Sequence, residues 1–454
     1  MAGYPTKKVP KNTVDIKGFS GMNNVKSTER FYSAEDIAEP RIILNSDVDM
    51  TGQLILRNGQ TLSVALPGAH SLWAGDQCML CVAAGVLYRI VQGAKVSLGS
   101  VHVNDTPYYY VEANGKIYIS NAYWNGSLNP VTNVLGSWGV SLPPSPVMIP
   151  ANGNLPPGNY NVCMTNISGT EMSGNGGISA IELTATGGIQ ILNRPAGAIV
   201  WVTDANEDVF YRVGAINAVV DIPTVEPLPS FLCSPPPCME NLCYAFGRMW
   251  GSVENVVYYS EPTRIGWFRL SSNYFIFDSP VTVIAKTPTG LFIGMRDRTK
   301  YLAGTEPEKM EQSDAGCGSI KGTLVYCNNM PELGWTLGTP EKSFMDVPVW
   351  VTVEGIVVGS PTGKFFNLTK NKLKMGVPLR GASLYRNLNG ALQILTSFQS
   401  GAVGSGVGFR DAETFDAFKN GYIAAFNKAL GGSTSQASFS DTATCTVTRG
   451  GVQI

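Results

Sequence analysis

The 454-residue chain has little charge, little histidine and little cysteine. Charged residues make up 15% of the sequence, and 33 basic against 34 acidic residues leave a formal net charge of -1. That balance provides no overall field for holding nucleic acid. A surface with so few charges leads us to expect extensive contacts with other subunits.

Long apolar runs are also lacking. No stretch approaches the roughly 20 apolar residues of a membrane helix, and the first residues lack the apolar core of a signal peptide. We therefore expect a soluble, intracellular protein without a membrane partner. Nine cysteines form an odd and sparse set, which favours reduced, buried thiols over a disulfide framework.

Glycine, by contrast, is abundant, with 50 residues, and it often stands beside a short hydrophobic or aromatic run. We interpret each such glycine as a β-turn residue that precedes a strand. In the second half of the chain these glycines are 43, 32, 33 and 35 residues apart, enough for three or four short strands. The sequence therefore predicts a mainly β fold, a β-propeller-like repeat. The marker glycines are Gly85, Gly115, Gly247, Gly290, Gly322, Gly355 and Gly390.

Two proline clusters, at 142–150 and 227–237, interrupt this repeat. Between them, strand-like runs recur about every ten residues, which suits an immunoglobulin-like or fibronectin-like β-sandwich. Gly115 and Gly247 are 132 residues apart, and removing the 81 residues of 145–225 leaves 51, about one blade. We therefore expect the sandwich to be inserted into the propeller.

The predicted organisation has five segments. They are an extended N-terminal segment (1–45), the first part of the propeller (46–144), the inserted β-sandwich (145–225), the second part of the propeller (226–400), and a glycine-rich linker with one helix and a closing strand (401–454).

The C-terminal helix is expected over residues 411–430, where aromatic residues recur at intervals of three and four and form one stripe. A stripe this apolar must dock on the same chain or on a neighbour. We take its aromatic residues as the candidate assembly contacts: Phe415, Phe418, Tyr422 and Phe426.

The cysteines make weak candidates for chemistry. Cys78 and Cys81 have the spacing of a redox or zinc pair, but in a strand residues three apart point to opposite faces. Cys233, Cys238 and Cys243 lack the closely paired four-ligand pattern of structural zinc. The sequence therefore predicts no metal and no cofactor.

Catalytic candidates are weak as well. His70 and His102 stand in no nucleophile elbow or comparable context. Glu261 is the most distinctive acidic residue, yet a carboxylate at a strand end more often bonds a turn amide. Aromatic runs at 108–110 and 258–259 could stack sugars or bases, although packing is the commoner role. We predict no catalytic residue and no enzyme activity.

Several stretches are distinctive when taken together. They include Phe19-Ser-Gly-Met-Asn-Asn-Val, Gly247-Arg-Met-Trp-Gly-Ser, Gly290-Leu-Phe-Ile-Gly-Met-Arg-Asp, and the segments 42–59, 85–89, 157–165 and 441–449. Together they resemble the propeller-bearing hub or nozzle proteins in the tails of short-tailed and related tailed bacteriophages. The resemblance covers most of the chain, and its motifs are structural.

The resemblance implies a structural virion protein that forms a ring of about six copies around the DNA channel. Its partners would be portal or adaptor proteins on one side and tail fibre or tip proteins on the other, with DNA only in transit. It implies assembly in the host cytoplasm and supplies no catalytic residues. This chain is shorter than the longer nozzle proteins, so nozzle, hub and fibre-attachment ring stay open.

Two alternatives come from other functional classes. A glycan-binding or glycan-cleaving propeller is one, because propeller glycosidases gather carboxylates from distant blades. An intracellular propeller that binds peptides is the other.

Overall fold

The computed structural model describes residues 18–19, 21–23, 25–26, 37–40, 43, 46–48, 51–56, 62–103, 106–327, 346–370, 372, 378–388, 391–399, 435–439, 445–449 and 452–453. The chain forms two compact units. The first unit comprises residues 1–61, 287–303 and 312–454, and the second comprises residues 62–286 and 304–311.

The described residues form strands joined by turns. Residues 1–61 contain β1 (Gly18–Phe19), β2 (Ile37–Ala38), β3 (Ser46–Val48) and β4 (Leu54–Leu56). The next strands are β5 (Ala69–Ala74), β6 (Met79–Ala83), β7 (Val86–Val91), β8 (Ala94–Ser100), β9 (Tyr109–Ala113), β10 (Lys116–Ser120), β11 (Asn125–Asn129), β12 (Val134–Gly136), β13 (Met148–Leu155), β14 (Gly158–Thr165), β15 (Ile167–Ser168), β16 (Glu171–Met172), β17 (Ser179–Leu183), β18 (Gly187–Ile191), β19 (Ile199–Thr203), β20 (Phe210–Gly214), β21 (Ala218–Val219), β22 (Glu240–Ala245), β23 (Arg248–Val253), β24 (Val256–Tyr259), β25 (Tyr274–Ile276) and β26 (Val281–Thr287).

The remaining elements are β27 (Gly290–Met295), β28 (Arg298–Ala303), a 3-10 turn (Pro307–Lys309), β29 (Glu311–Cys317), β30 (Val325–Cys327), β31 (Val347–Thr352), β32 (Gly355–Gly359), β33 (Phe365–Asn367), β34 (Arg380–Leu388), β35 (Ala391–Gln399), β36 (Ser435–Phe439), β37 (Cys445–Arg449) and β38 (Val452–Gln453). The prediction of a mainly β chain is confirmed.

Three sheets of the second unit follow one plan. Each consists of four consecutive antiparallel strands in chain order, namely β5–β8, β9–β12 and β22–β25. Several hairpins close with two residues that both have positive φ, the backbone of a type I′ turn, whose twist matches that of the strands. These turns are Ala84-Gly85, Gln92-Gly93, Asn114-Gly115 and Phe246-Gly247.

Neighbouring four-stranded sheets share buried side chains. The first two sheets are joined by Leu80, Val82, Leu87, Ile117, Ile119 and Leu128. The second sheet meets the β22–β25 sheet through Tyr118, Trp138, Met249 and Phe268. Small four-stranded sheets of consecutive strands, packed face to face, are the plan of a β-propeller. The fold is therefore propeller-like.

Residues 148–219 form two sheets around a core of their own. The three-stranded sheet has the order β13-β18-β21, and the four-stranded sheet has the order β17-β14-β19-β20. We call this region the two-sheet module. Its immunoglobulin-like or fibronectin-like character stays a prediction. The shared core contains Leu155, Tyr160, Val162, Met164, Leu183, Ile189, Ile191, Val200, Val202 and Val219.

The module begins inside the first proline cluster. The prolines at 142–150 are expected to interrupt the strand pattern, but β13 starts at Met148 and includes Pro150, which is paired with Ile189. Because β13 is an edge strand, one of its sides needs no backbone donor, and a proline is tolerated there.

The first unit contains one four-stranded sheet of consecutive strands, β30–β33. The β27–β28 hairpin packs near it, since the ring centroids of Phe292 and Trp350 are 5.2 Å apart. Further parts of this unit are the β34–β35 and β3–β4 hairpins and the parallel pair β1-β2.

The C-terminal segment is described in part. The predicted helix at 411–430 lies outside the described residues. The strand expected at 444–449 is present as β37, which pairs with β36 and β38 in a three-stranded sheet. Its role in closing the ring of sheets stays a prediction. The dipeptide Asn58-Gly59, a common sequence for a hairpin turn, also lies outside the described residues, and residues 62–66 after it are not in a strand.

The marker glycines do not occupy one repeated position. Gly115 and Gly247 stand between the first and second strands of their sheets, whereas Gly85 stands between the second and third. Gly290 does not have a positive φ, and a Cβ placed on it would lie 2.2 Å from the carbonyl oxygen of Leu302. Equal spacing along the chain therefore does not mark equal places in the sheets.

Candidate functional site

Both histidines of the chain lie beside Tyr108. The His70 ring on β5 is stacked with the Tyr108 ring at a centroid distance of 6.2 Å. The Tyr108 hydroxyl donates to the main-chain oxygen of His102 at 2.9 Å, and the His102 ring is stacked on Tyr123 at 5.3 Å. Together with Ser71, these four residues form what we call the histidine–tyrosine cluster. No local sequence signal connects its members, because a loop and a sheet-to-sheet contact bring them together.

Ser71 holds this cluster in place. It has a left-handed backbone with φ +55° and lies in an irregularity of the β5–β6 pairing. Such a backbone costs about 1–2 kcal/mol in a residue with a Cβ. Its Oγ accepts the amide N–H of Tyr108 at 2.9 Å, and its carbonyl oxygen accepts the Tyr110 hydroxyl at 3.0 Å. These bonds link β5 to the chain at β9, the first strand of the neighbouring sheet.

The distance between the Ser71 hydroxyl and the His70 ring bears on possible catalysis. His70 Nδ1 lies 2.9 Å from Ser71 Oγ, the separation of a nucleophile and a general base. The same hydroxyl also accepts the Tyr108 amide, so Ser71 has a structural role in the link between the sheets. Burial raises the pKa of Tyr108 and raises that of Tyr110 well above its usual range, so both phenols remain protonated donors at neutral pH.

The cysteines singled out in the sequence are held as thiols. Cys81, Cys233 and Cys243 are buried, whereas Cys78 and Cys238 are half-buried. Burial raises the pKa of Cys78, Cys81, Cys233 and Cys238. The thiolate is the form that attacks and binds metals, so burial disfavours the reactive form of these four groups at neutral pH. Within the described ranges, no three His, Cys, Asp or Glu residues are grouped so as to hold a metal ion.

Glu261 stabilises a turn. Its Oε1 accepts a hydrogen bond from Asn273 Nδ2 at 3.0 Å and lies 3.3 Å from Arg269 Nε. Its main chain bonds to Trp267 and Arg264. The carboxylate therefore connects the two ends of the loop 261–273 through side-chain contacts, whereas the sequence led us to expect a bond to a turn amide.

A feature that sequence reasoning missed is the exposure of the fourth strands. In four sheets of consecutive strands, β5–β8, β9–β12, β22–β25 and β30–β33, the second strand is almost wholly buried, but the fourth carries exposed large apolar side chains. We call these residues the apolar rim. In the second unit they are Val96 on β8, Val134 on β12 and Ile276 on β25, with exposed fractions of 44%, 62% and 63%; in the first unit the corresponding residue is Phe366 on β33, with 38%. Strand β29, which reads Glu-Gln-Ser-Asp-Ala-Gly-Cys, carries no such side chain.

The alternation of these short strands resembles that of any half-buried strand, so the sequence carries little signal for the rim. The candidate assembly residues Phe415, Phe418, Tyr422 and Phe426 lie outside the described residues. In the part of the chain that the structure covers, no helix has the length and apolar character needed to cross a membrane.

Repeated four-stranded sheets place this chain among mainly β, propeller-like proteins. No protein-family model and no curated protein matches the chain. Among solved structures it is similar to Sqt1 of Saccharomyces cerevisiae, with 11% identity, 70% of this chain and 76% of that chain covered, and a TM-score of 0.25. It is also similar to apo AztD from Citrobacter koseri, with 11% identity, coverage of 65% and 84%, and a TM-score of 0.25. Scores this low carry no argument, so the description of the fold rests on its own sheets.

Proposed function

We propose that this chain is a structural subunit of a bacteriophage tail, with copies side by side in a hub or nozzle ring through which DNA passes. The observation that carries the proposal is the apolar rim. The resemblance of the sequence to tail hub and nozzle proteins agrees with it. In this proposal the ring connects portal or adaptor proteins to tail fibres or a tip.

The apolar rim favours contacts with other subunits because three of its strands lack charged residues. Soluble proteins usually protect edge strands with charges, prolines or bulges. The fourth strands β12, β25 and β33 read Val-Leu-Gly, Tyr-Phe-Ile and Phe-Phe-Asn and carry no charged residue. Exposed apolar edges of this kind favour association, and neighbouring copies in a ring would cover them.

A ring contact of this type commonly buries more than about 2,000 Å² per pair of subunits. The low charge of the chain suits such contacts, because the centres of protein interfaces are depleted of charged residues.

The experiment is a measurement of mass and shape on the purified full-length chain. Size-exclusion chromatography with light scattering should give a multiple of the 48.6 kDa chain mass, and negative-stain images should show rings. Val134→Lys and Ile276→Lys should each weaken the ring by placing a charge in the contact. Val225→Lys, at a valine that is 84% exposed but outside the four sheets, is the matched control.

A wild-type chain that stays monomeric at all concentrations, with no change in the rim variants, would contradict the ring. Immunogold labelling of intact phage particles tests the location separately, and the expected position of the label is the tail.

One observation favours the glycan-binding alternative. Tyr123 is 61% exposed, and its ring lies within 17° of parallel to the His102 ring. An exposed, flat aromatic pair offers a surface on which the apolar face of a sugar can stack. A monomer that binds surface glycans, and loses that binding in Tyr123→Ala, would support this alternative over the tail ring.

A further inference from the structure

The three-stranded sheet of the two-sheet module is apolar on both faces. Its inner face contributes Ile189, Ile191 and Val219 to the module core. Its outer face exposes large apolar residues on all three strands or immediately beside them. These residues are Val147, Ile149, Leu192, Ile216 and Val220, with exposed fractions of 53%, 47%, 58%, 41% and 45%.

These residues lie in rows across the sheet. Ile149 is paired with Gln190, and Gln190 is paired with Ala218. Two residues further along, the Leu192 amide bonds to the Val147 carbonyl, and the Ile191 amide bonds to the Asn217 carbonyl, which places Ile216 next to Leu192. The two rows are therefore Val147–Leu192–Ile216 and Ile149–Gln190–Ala218. Together with Val220 they form what we call the outer face.

In the four-stranded sheet of the same module, the side that faces away from the module core is covered. This side, with Cys163, Trp201 and Phe210, is covered by Leu228 and Phe231 from the chain that follows the module. The outer face keeps its large apolar side chains about half exposed. Since a sheet that is apolar on both faces belongs in the middle of a layered structure, the outer face needs a further layer.

We propose that the outer face pairs with the outer face of a second copy of this chain across a two-fold axis. The contact is separate from the apolar rim, so it does not depend on the proposed ring. Two flat apolar sheets can pack face to face in this way, as in a β-sandwich.

The single polar residue of the two rows, Gln190, indicates that the partner covering the outer face is a second copy of this chain. Gln190 lies on the middle strand β18, between Ile149 and Ala218, and its amide makes a long 3.4 Å contact with the carbonyl oxygen of Ile191. A buried amide without good partners is destabilising. A carboxamide has both donors and an acceptor, so near a two-fold axis two copies of Gln190 can bond to each other reciprocally. An unrelated apolar partner would leave this amide unpaired.

Charges beyond the rows favour the same arrangement. Arg194 follows the Leu192 end, where its Nε donates to Asn217 Oδ1 at 2.6 Å. Exposed Asp221 follows Val220 at the opposite end. A two-fold axis that lies across the strands reverses one copy, so the Arg194 end of each copy meets the Asp221 end of the other. No charged side chain within the rows must be desolvated.

The test is sedimentation velocity of the full-length chain over a series of concentrations. Val147→Glu should raise the dissociation constant of the pair at least tenfold, because it buries a charge. Val225→Glu makes the same substitution at a more exposed valine outside the face and should leave the constant unchanged. Both sites are exposed, so circular dichroism should show an unchanged fold for each variant.

Gln190→Glu tests the two-fold axis itself. It should abolish pairing at neutral pH, because two carboxylates meet, and pairing should return near about pH 4, where they become protonated. Gln92→Glu, in an exposed turn, is the control and should pair normally at both pH values. A heterologous contact would not bring position 190 against itself, so a mixture of Gln190→Glu and Gln190→Lys chains should pair at neutral pH only if the two copies of this position meet across the axis.

Two results would overturn the proposal. One is equal association of the wild type and Val147→Glu. The other is pairing of Gln190→Glu that does not change with pH. Ile276→Lys separates this contact from the rim: it should alter ring formation while the pairing through the outer face persists.

Discussion

Glycine serves two different physical purposes in this chain. Gly115 has φ +74° after Asn114 at φ +50°, and a Cβ placed on it would meet nothing within 4 Å. Its requirement is conformational, because the type I′ turn needs two left-handed residues. Gly290 lacks a positive φ, but its Cβ would lie 2.2 Å from the Leu302 oxygen and 2.7 Å from the Tyr301 ring. Its requirement is space.

Substitutions at these two glycines should therefore behave differently. Gly115→Ala should lower the free energy of unfolding by about 1–2 kcal/mol, and Gly115→Asn by less, because asparagine tolerates the left-handed region. Gly290→Ala should lower it by about 1–3 kcal/mol or more, since backbone atoms must move. Gly290→Asn should be worse still. Urea unfolding followed by tryptophan fluorescence measures all four variants.

The comparison within each pair is decisive. If asparagine were better tolerated than alanine at position 290, lack of space would not be the reason for glycine there. If asparagine were no better tolerated than alanine at position 115, the left-handed turn conformation would not be the reason for glycine there.

At the scale of elements, the two-sheet module extends beyond its strands. Leu228 and Phe231 pack on the side of the four-stranded sheet that carries Trp201 and Phe210. The Leu228 amide donates to the Phe210 carbonyl at 2.9 Å, and Ser230 Oγ donates to the Ser173 carbonyl at 2.7 Å. The segment 226–231 therefore acts as a cover for this sheet.

Expressed alone, residues 145–234 should be more stable than residues 145–225. The shorter fragment exposes Trp201 and Phe210, and large apolar groups of this size contribute about 1.5–3 kcal/mol each when buried. Thermal unfolding by circular dichroism should show a lower midpoint for the shorter fragment.

Two variants of the longer fragment supply the controls. Leu228→Ser should reproduce part of the loss, whereas Leu232→Ser, at a residue that is 53% exposed, should not. Equal midpoints for the two fragments would show that the segment does not stabilise the module.

At the scale of the whole molecule, each unit contains a deeply buried thiol. Burial raises the pKa of Cys163, in the second unit, and of Cys327, in the first, to about 12. In the unfolded chain a cysteine ionises near pH 9, so between pH 9 and 12 the unfolded state loses a proton that the folded state keeps. The contribution of each protonated thiol to the free energy of unfolding is fully present below pH 9 and is lost as the pH rises to about 12.

Each unit should therefore lose stability above about pH 9, by up to about 1.4 kcal/mol per pH unit for one such thiol. Cys163→Ala should make this decline shallower in the second unit, even though the variant is less stable at neutral pH. Denaturant unfolding at a series of pH values measures the slope. The unfolding transition of the first unit, which retains Cys327, serves as the internal control. An unchanged slope in Cys163→Ala would contradict the assignment.

Local patterns predicted much of the strand content. Asn114-Gly115 and the alternation after Gly247 indicated hairpins, and hairpins are present there, because turn chemistry and side-chain alternation act within a few residues. Strand β13 was missed because Pro150 reads as a strand breaker until the strand is known to lie at an edge.

The candidate sites were less accessible to sequence reasoning. The meeting of His70 and His102 around Tyr108 depends on the packing of two sheets, and nothing in the residues around each histidine indicates it. For Glu261 the sequence favoured a carboxylate that bonds a turn amide, but the contacts of its carboxylate are with two side chains. Its partners, Asn273 and Arg269, come from the far side of a loop.

By itself, the sequence determined that this chain is mainly β, punctuated by glycine turns and poor in charge, because turn conformation and alternation are properties of neighbouring residues. Tertiary structure alone decided which faces stay uncovered. Leu228 and Phe231 cover one face of the two-sheet module, whereas Val147 and Leu192 remain exposed on another. Both faces are apolar in sequence, and burial depends on distant segments whose contacts no local pattern encodes.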